Sequence, residues 1–299
     1  MAAFVLAHLS DAHLAPLPRP RLGELVGKRV IGYINWRRKR HRIHRSDVLA
    51  RIVGHLKSQV PDHIAVTGDL VNLSLEDEFP PARTFIESLG RAANVTLVPG
   101  NHDAYVRSAV SYTQAHWGDF MRGDANGALH EYKFPFVRRR GPLALIGLSS
   151  AVATAPFMAT GMLGAAQLQQ LADILDRLDD MFRVVLIHHP PQSIPSRRFK
   201  RLVDGADLQN VLARHGAELL IHGHDHVHSL TWLDGPNGPI PALGVPSASE
   251  APPGEHEPAG YNIYSIEGEP GAWRCEAVSH SMSRDGNAIV EIRREQLYS

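Results

Sequence analysis

Aspartate, asparagine and histidine side chains follow five apolar runs in this chain of 299 residues. The clearest case is Gly-Asn-His-Asp at 100–103, which comes after the apolar run 95–98 and Pro99. A run of β-branched and apolar residues that stops at Pro-Gly predicts a buried strand with a polar loop at its carboxyl end. Five strand ends that each offer oxygen or imidazole groups predict one metal site. The other four cases lie at 4–13, 64–72, 184–191 and 218–226.

Seven side chains in these loops are candidate metal ligands. Asp11 and His13 are two residues apart, and such residues share one face of an extended chain, so both should reach one ion. Asp69 has two carboxylate oxygens and can bridge two ions. Oxygen and imidazole ligands without thiolate favour Mn, Fe, Zn or Co over a closed structural zinc site. The seven candidates are Asp11, His13, Asp69, Asn101, His188, His224 and His226.

A pair of such ions suits the hydrolysis of a phosphate ester. Two ions about 3.5–4 Å apart acidify a bridging water to a hydroxide nucleophile and neutralise charge on the phosphoryl oxygens. In-line attack expels an alkoxide, which needs a proton. His102, next to the ligand Asn101, is our candidate general acid, and Asp103 is the candidate orienting partner for its imidazole.

Four further residues are candidates for contact with substrate or for support of the ligands. For His189 we favour support over contact with the phosphate. Asn72 is expected to tether its loop by hydrogen bonds and not to bind metal. Arg197 and Arg198 follow the His188 loop and form a candidate anion contact, with ordinary surface charge as the alternative.

Composition limits the classes of partner. The formal net charge is zero, so no global field favours nucleic acid or a membrane. Cys275 is the only cysteine, which excludes an intramolecular disulfide and fits a reducing compartment. The apolar run at the start of the chain ends before Asp11 and is too short for a signal peptide or a membrane span. We therefore expect a cytoplasmic protein.

One stretch departs from this charge balance. Residues 18–45 form a basic insertion in which Glu24 is the only acid, and Tyr33 and Trp36 lie among its apolar residues. We favour a solvated basic loop, or a short helix that packs its apolar side on the core. The alternative is an amphipathic surface element that contacts anionic lipid or another polyanion through 28–45 and makes the protein membrane-peripheral.

The remaining pattern alternates helices and strands, which predicts parallel strands with right-handed crossovers and a site at their carboxyl ends. Ser46 is the expected cap of the first helix after the insertion. Strands at 129–137 and 143–149 would be joined by a hairpin turn at 138–142. We expect one domain over 1–299 that becomes β-rich from about 229. Predicted helices lie at 46–59, 75–89, 105–120, 167–178 and 206–215.

The five polar loops, in this order, resemble those of the calcineurin-like metallophosphoesterase family, and in particular its bacterial branch of cyclic-nucleotide and glycerophosphodiester phosphodiesterases. The resemblance covers about residues 1–230. It implies an α/β fold, a four-layer αββα sandwich of two mixed β-sheets flanked by helices, with the metal site at the strand carboxyl ends. It also implies two ion sites. One takes Asp11, His13, Asp69 and His226, and the other takes Asp69, Asn101, His188 and His224.

The expected function is therefore that of a dinuclear metal-dependent phosphoric ester hydrolase, with phosphodiesters favoured. The insertion is longer and more basic than the compact connection of the family's small phosphodiesterases. One alternative is accordingly a phosphomonoesterase, or a hydrolase of lipid phosphates or nucleic acid that docks on its substrate through this insertion. A second alternative is a non-catalytic scaffold with the same fold.

Overall fold

The computed structural model describes residues 3–124, 133–192, 197–252, 254 and 256–298. Within these residues, helices and strands are interspersed as far as β7 and only strands follow. The helices are α1 (Lys28–Asn35), α2 (His41–Ile43), α3 (Ser46–Ser58), α4 (Phe79–Leu89), α5 (Ala109–Trp117), α6 (Ala165–Asp176) and α7 (Gly205–His215). The strands are β1 (Phe4–Leu9), β2 (His63–Val66), β3 (Val95–Leu97), β4 (Phe136–Arg140), β5 (Leu143–Gly147), β6 (Phe182–Leu186), β7 (Leu219–His222), β8 (Ser229–Leu233), β9 (Ile240–Gly244), β10 (Gly260–Glu267), β11 (Arg274–Met282) and β12 (Ile289–Tyr298).

Two six-stranded mixed sheets form the centre of the fold. The first has the order β12-β11-β10-β1-β2-β3, and the second has the order β4-β5-β6-β7-β9-β8. Strands β1, β2 and β3 are parallel, as are β5, β6, β7 and β9. The carboxyl-terminal strands β10, β11 and β12 complete the first sheet beside β1 by antiparallel pairing.

Side-chain alternation along the strands builds a layered core. Leu143 and Leu145 of β5 belong to a buried cluster that also contains residues of the first sheet, while Ala144 and Ile146 face a second cluster. Alternate residues of a strand point to opposite faces of the sheet. The second cluster includes Leu171 of α6, so the helices cover the outer face. The expected sandwich of two mixed sheets flanked by helices is confirmed.

Two local predictions were wrong. Helix α3 has Arg45 as its cap residue without a side-chain cap hydrogen bond, so Ser46 is already the first helical residue. Arg138 lies within β4, and the strand continues to Arg140, so the turn is Gly141-Pro142. The Arg138 guanidinium is buried and donates to the carbonyls of Ala92 and Val95, each at 2.7 Å. This pairing makes a charged run compatible with a strand. The predicted strand residues 129–132 lie outside the described residues.

The basic insertion is helical. Helix α1 continues through a π-helical turn at Trp36–Arg40 into α2. Tyr33 and Trp36 pack against a small cluster separate from the two main ones, made of Leu17, Leu73, Leu75 and Tyr105. No residue of α1 is buried. The insertion thus lies on the surface of the sandwich and keeps much of its apolar side exposed. Among the described residues, no helix combines the length and apolar character that a membrane crossing requires.

Candidate metal centre

The seven candidate ligands come together at the carboxyl ends of β1, β2, β3, β6 and β7. Nε2 of His226 lies 3.1 Å from Oδ1 of Asp11, and Nε2 of His13 lies 3.8 Å from the same oxygen. Oδ2 of Asp69 lies 3.9 Å from Nε2 of His13 and 3.4 Å from Nε2 of His188. Asp69 therefore connects two groups of donors, as a bridging carboxylate would.

The second group surrounds His188. Its Nε2 lies 3.1 Å from Oδ1 of Asn101 and 3.3 Å from Nδ1 of His224. Asp11 connects the groups a second time, because its Oδ2 accepts a hydrogen bond of 3.0 Å from the backbone N–H of His224. Both groups thus share one contiguous network of donor atoms.

The backbone, and not a shared strand face, makes these side chains converge. Eight described non-glycine residues have positive φ, and five of them are candidate ligands. That conformation is strained for L-residues, and such strain concentrates at functional sites. The argument from an extended chain at Asp11 and His13 was therefore wrong, although both side chains reach the same place. The five are Asp11, His13, Asp69, His224 and His226.

Each candidate histidine ligand presents one ring nitrogen to the centre, and a hydrogen bond to the other nitrogen holds the ring in place. Nδ1 of His188 bonds to the carbonyl of Thr67 at 2.6 Å, and Nδ1 of His13 to that of Val71 at 3.3 Å. His224 has the reverse orientation, with Nε2 bonded to the carbonyl of Lys200 at 2.8 Å. A carbonyl acceptor fixes the tautomer of the neutral ring, so that the inward nitrogen can offer the lone pair that a metal ion would take.

The donor set fits transition-metal ions. Ligand atoms of Asp11, His13 and His226 lie within 4.8 Å of one another, and so do those of Asp11, Asp69 and His188. Burial lowers the pKa of His188, but the Asp69 and Asp11 carboxylates and the Thr67 carbonyl together raise it to about 10. A cluster that binds a proton this tightly attracts positive charge. Carboxylate, amide and imidazole donors match borderline cations such as Mn, Fe and Zn.

His102 lies at the centre, but its partners differ from the expected one. Nδ1 bonds to the carbonyl of Asn72 at 2.5 Å, and Nε2 lies 3.0 Å from Nη1 of Arg40. Burial, and then the charge of Arg40, lower the pKa of His102 to about 3. In this arrangement the ring is neutral and Nε2 accepts from the guanidinium.

Asp103 does not orient His102, so that prediction was wrong. Its fully buried carboxylate accepts four backbone N–H bonds, from Asp69 at 2.8 Å, Leu70 at 2.9 Å, Val71 at 3.2 Å and Gly100 at 2.9 Å. Four donors use the lone pairs of both oxygens, so none remains for an imidazole. Asp103 instead fixes the loop that carries Asp69.

Two of the four supporting candidates, His189 and Asn72, have hydrogen-bond partners within the protein. His189 is buried, and both its ring nitrogens have partners, the Ser150 hydroxyl at 2.7 Å and the Ala159 carbonyl at 3.1 Å. Asn72 tethers its loop, because its amide donates to the Leu14 carbonyl at 2.9 Å.

The two arginines lie in different surroundings. Arg197 forms an ion pair with Asp225 and lines the cavity beside the centre. Arg198 stacks its guanidinium on the Phe199 ring, 4.6 Å from the centroid, and does not line that cavity. Of these two arginines, only Arg197 remains a candidate for contact with an anion in the cavity.

Sequence reasoning missed Glu250 and Arg40. Glu250 is buried, and its Oε2 lies 3.3 Å from Nδ1 of His226 and 3.4 Å from Nδ1 of His256. It follows the apolar strand β9, which is parallel to β7, so the signal was the same as for the ligands. Arg40 had no such signal, because nothing in the sequence separates it from the other basic residues of the insertion.

A cavity of about 510 Å³ opens beside the centre. Candidate ligands and His102 form one wall, and the insertion helix forms another. The lining combines cations and apolar groups next to the metal donors: Lys28, Lys39, Arg40, Arg197 and Lys200 with Ile31, Trp36, Phe157 and Met158.

Comparison with known proteins agrees with this geometry. A probable cyclic nucleotide phosphodiesterase of Synechococcus sp. is 27% identical over 231 residues, which cover 76% of this chain and 80% of that protein. The purple acid phosphatase of yellow lupin (Lupinus luteus) seeds matches 97% of this chain with a TM-score of 0.58 and 11% identity. This chain spans only about half of the lupin enzyme, 53% of its length. The profile of the calcineurin-like phosphoesterase family matches residues 4–228, and the chain belongs to that family.

Proposed function

We propose that the protein is a dinuclear metal-dependent hydrolase of phosphate esters that prefers phosphodiesters. The observation that carries this proposal is the convergence of carboxylate, amide and imidazole donors on one point at the end of a cavity. The similarity to a probable cyclic nucleotide phosphodiesterase favours diesters over monoesters.

The donors divide between two ions. In the proposed arrangement one ion takes Asp11, His13, Asp69 and His226, and the other takes Asp69, Asn101, His188 and His224. When bound, the ions supply Lewis-acid activation of water and neutralise charge on the phosphoryl group. Mn, Fe and Zn are the candidates.

The protein side chains bind the phosphate and move the proton. The Arg40 guanidinium, now held by two imidazoles, binds a non-bridging phosphate oxygen, because an anion is the better acceptor. His102 then loses the donor at Nε2 and takes up a proton there from solvent, so that the imidazolium beside the anionic phosphate carries this proton while its Nδ1–H stays on the Asn72 carbonyl. That proton passes from Nε2 to the leaving alkoxide.

Metal analysis together with two aryl substrates tests the proposal. We expect about two equivalents of transition metal and turnover of bis(p-nitrophenyl) phosphate that exceeds turnover of p-nitrophenyl phosphate. Asn101→Ala and His226→Ala should lose this activity, whereas Asn94→Ala, at an exposed residue before β3, should keep it.

Two results would contradict the proposal in different ways. Turnover of the monoester alone would retain the metal chemistry and overturn the preference for diesters. A protein without metal and without turnover, even after addition of Mn, would point to a non-catalytic scaffold.

A further inference from the structure

Three segments outside the ligand set form the entrance to the cavity. Nζ of Lys28 donates to the Met158 carbonyl at 2.9 Å, so α1 is tied to the loop at 154–158. The backbone N–H of Ala159 donates to the Phe199 carbonyl at 2.8 Å, so this loop is tied to the segment 197–201. We call seven exposed side chains of these segments and of the two helical turns that follow α1 the mouth: Ile31, Ile34, Arg38, Arg42, Phe157, Phe199 and Lys200.

The apolar part of the mouth is large and exposed. Phe157 is 81% exposed, Phe199 51% and Ile34 46%. Phe157 also has φ of +65°, a conformation that bulky side chains rarely adopt. A strained backbone that turns an aromatic ring out into solvent, beside a catalytic cavity, is typical of a contact surface and not of a core.

Cations surround these apolar groups. Ile34 and Arg38 follow Ile31 by three and seven residues in one helical segment, so the three share a face. Arg38 and Arg42 are exposed and have no hydrogen-bond or ion-pair partner within the described part of the chain. Other basic residues of the insertion point inward instead, as Lys28 and Arg40 do. The outward cations are therefore available to a partner.

An anionic bilayer matches this combination better than nucleic acid. Aliphatic and aromatic side chains gain free energy when they enter the interface of a bilayer, and arginines beside them gain from its negative surface potential. A polynucleotide would use the same arginines but would leave exposed isoleucines such as Ile31 and Ile34 without a complementary surface.

We propose that the mouth docks onto an anionic lipid bilayer and that the phosphate ester entering the cavity carries a lipid chain. The cavity agrees with such a substrate, because Ile31, Trp36 and Phe157 line it next to the metal donors. The second half of the inference rests on the proposed hydrolase function, whereas the docking does not.

Co-sedimentation with vesicles tests the docking. The protein should bind vesicles of phosphatidylcholine that contain phosphatidylglycerol more tightly than vesicles of phosphatidylcholine alone, and salt should weaken the binding. Arg38→Gln/Arg42→Gln and Ile34→Ser/Phe199→Ser should each reduce it by about tenfold or more. Trp232→Ser, an exposed aromatic of β8 away from the mouth, is the matched control and should bind as the parent does. Equal binding to both vesicles, or binding to a single-stranded oligonucleotide only, would overturn the docking.

A pair of soluble diesters tests the substrate class. The value of kcat/KM for p-nitrophenyl octyl phosphate should exceed that for p-nitrophenyl methyl phosphate by about tenfold or more. The reason is that methylene groups of the octyl chain leave water when they contact the apolar lining of the cavity. Phe157→Ser should reduce the factor by which kcat/KM for the octyl ester exceeds kcat/KM for the methyl ester. Equal values for the two esters in the parent would overturn the lipid substrate while keeping the hydrolase, and turnover of neither would overturn the hydrolase itself.

Discussion

Nη2 of Arg40 lies 3.0 Å from Nε2 of His13, the nitrogen that faces the metal centre. A side chain of the insertion thus reaches the atom that an ion would take. The charge of a bound ion would repel the guanidinium at such close range. Metal loading should therefore move the guanidinium toward the cavity, where a phosphate group would lie. The insertion therefore contributes to the centre itself and is more than a cover over it.

Replacement of Arg40 tests this contribution. Arg40→Met should lower kcat/KM for bis(p-nitrophenyl) phosphate by about 100-fold, because a positioned cation at the reacting group is lost. Metal affinity should be equal or higher, since the repulsion is removed. Arg37→Met, which removes an exposed arginine of the same helical turn, is the control. Unchanged turnover in Arg40→Met would assign Arg40 to packing alone.

Glu250 should control metal affinity through His226. Glu250→Gln keeps the shape of the side chain but removes the charge beside Nδ1, so we expect metal to bind about 10–100-fold more weakly. Titration with Zn or Mn and a chelating indicator measures this. Glu269→Gln, at an exposed position, should leave the affinity unchanged. Equal affinities in the two variants would contradict the role of Glu250.

Asp103 and His102 should differ in what their loss affects. Asp103→Asn places an amide NH₂ against backbone N–H groups, so unfolding free energy should fall by about 1–3 kcal/mol. His102→Gln should lose turnover and keep most of its stability. Denaturant unfolding and turnover of the diester separate the two effects. Full stability in Asp103→Asn would contradict its assignment to the Asp69 loop.

Acid should destabilise the protein partly through His63. Burial lowers the pKa of His63 from 6.5 to about 3, and its Nε2 bonds to the Thr96 hydroxyl at 2.7 Å. Between these values the unfolded chain binds a proton that the folded chain does not, so stability rises with pH. Through His63, the free energy of unfolding falls by about 1.4 kcal/mol for each pH unit below 6.5, until the pH reaches about 3. His63→Met should reduce this slope in urea unfolding between pH 6.5 and 4.5; an equal slope would contradict the assignment.

The sequence was sufficient for the fold and for the convergence of the seven candidate side chains, because both depend on local patterns. A short apolar run followed by polar residues identifies a strand and the end that carries the ligands. Asp69 and His188 could thus be assigned to one centre although 119 positions separate them in the chain. Two ion sites, the preference for diesters and a cytoplasmic location stay predictions.

What the sequence could not give are contacts made across elements. Asp103 was paired with His102 because the two are neighbours in sequence, but backbone amides of the adjacent β2 loop take its carboxylate. Arg40 reaches the centre only because the insertion folds back onto the loops that carry His13 and His102. Arg138 was assigned to the turn that contains Gly141 and Pro142, because the Ala92 and Val95 carbonyls that accept from it lie more than 40 residues away. Each error replaced a tertiary partner with a sequence neighbour.

The insertion packs on a small cluster that is separate from the two main cores, and this gives it a separate local stability. Helix α1 has no buried residue, and Tyr33 and Trp36 pack against the cluster of Leu17, Leu73, Leu75 and Tyr105. A unit with so few buried contacts opens at a lower free energy than the sheets do. Amide hydrogens of 28–43 should therefore exchange with deuterium well before those of β5 and β6, so the cavity can open to a bulky substrate while the sandwich remains folded.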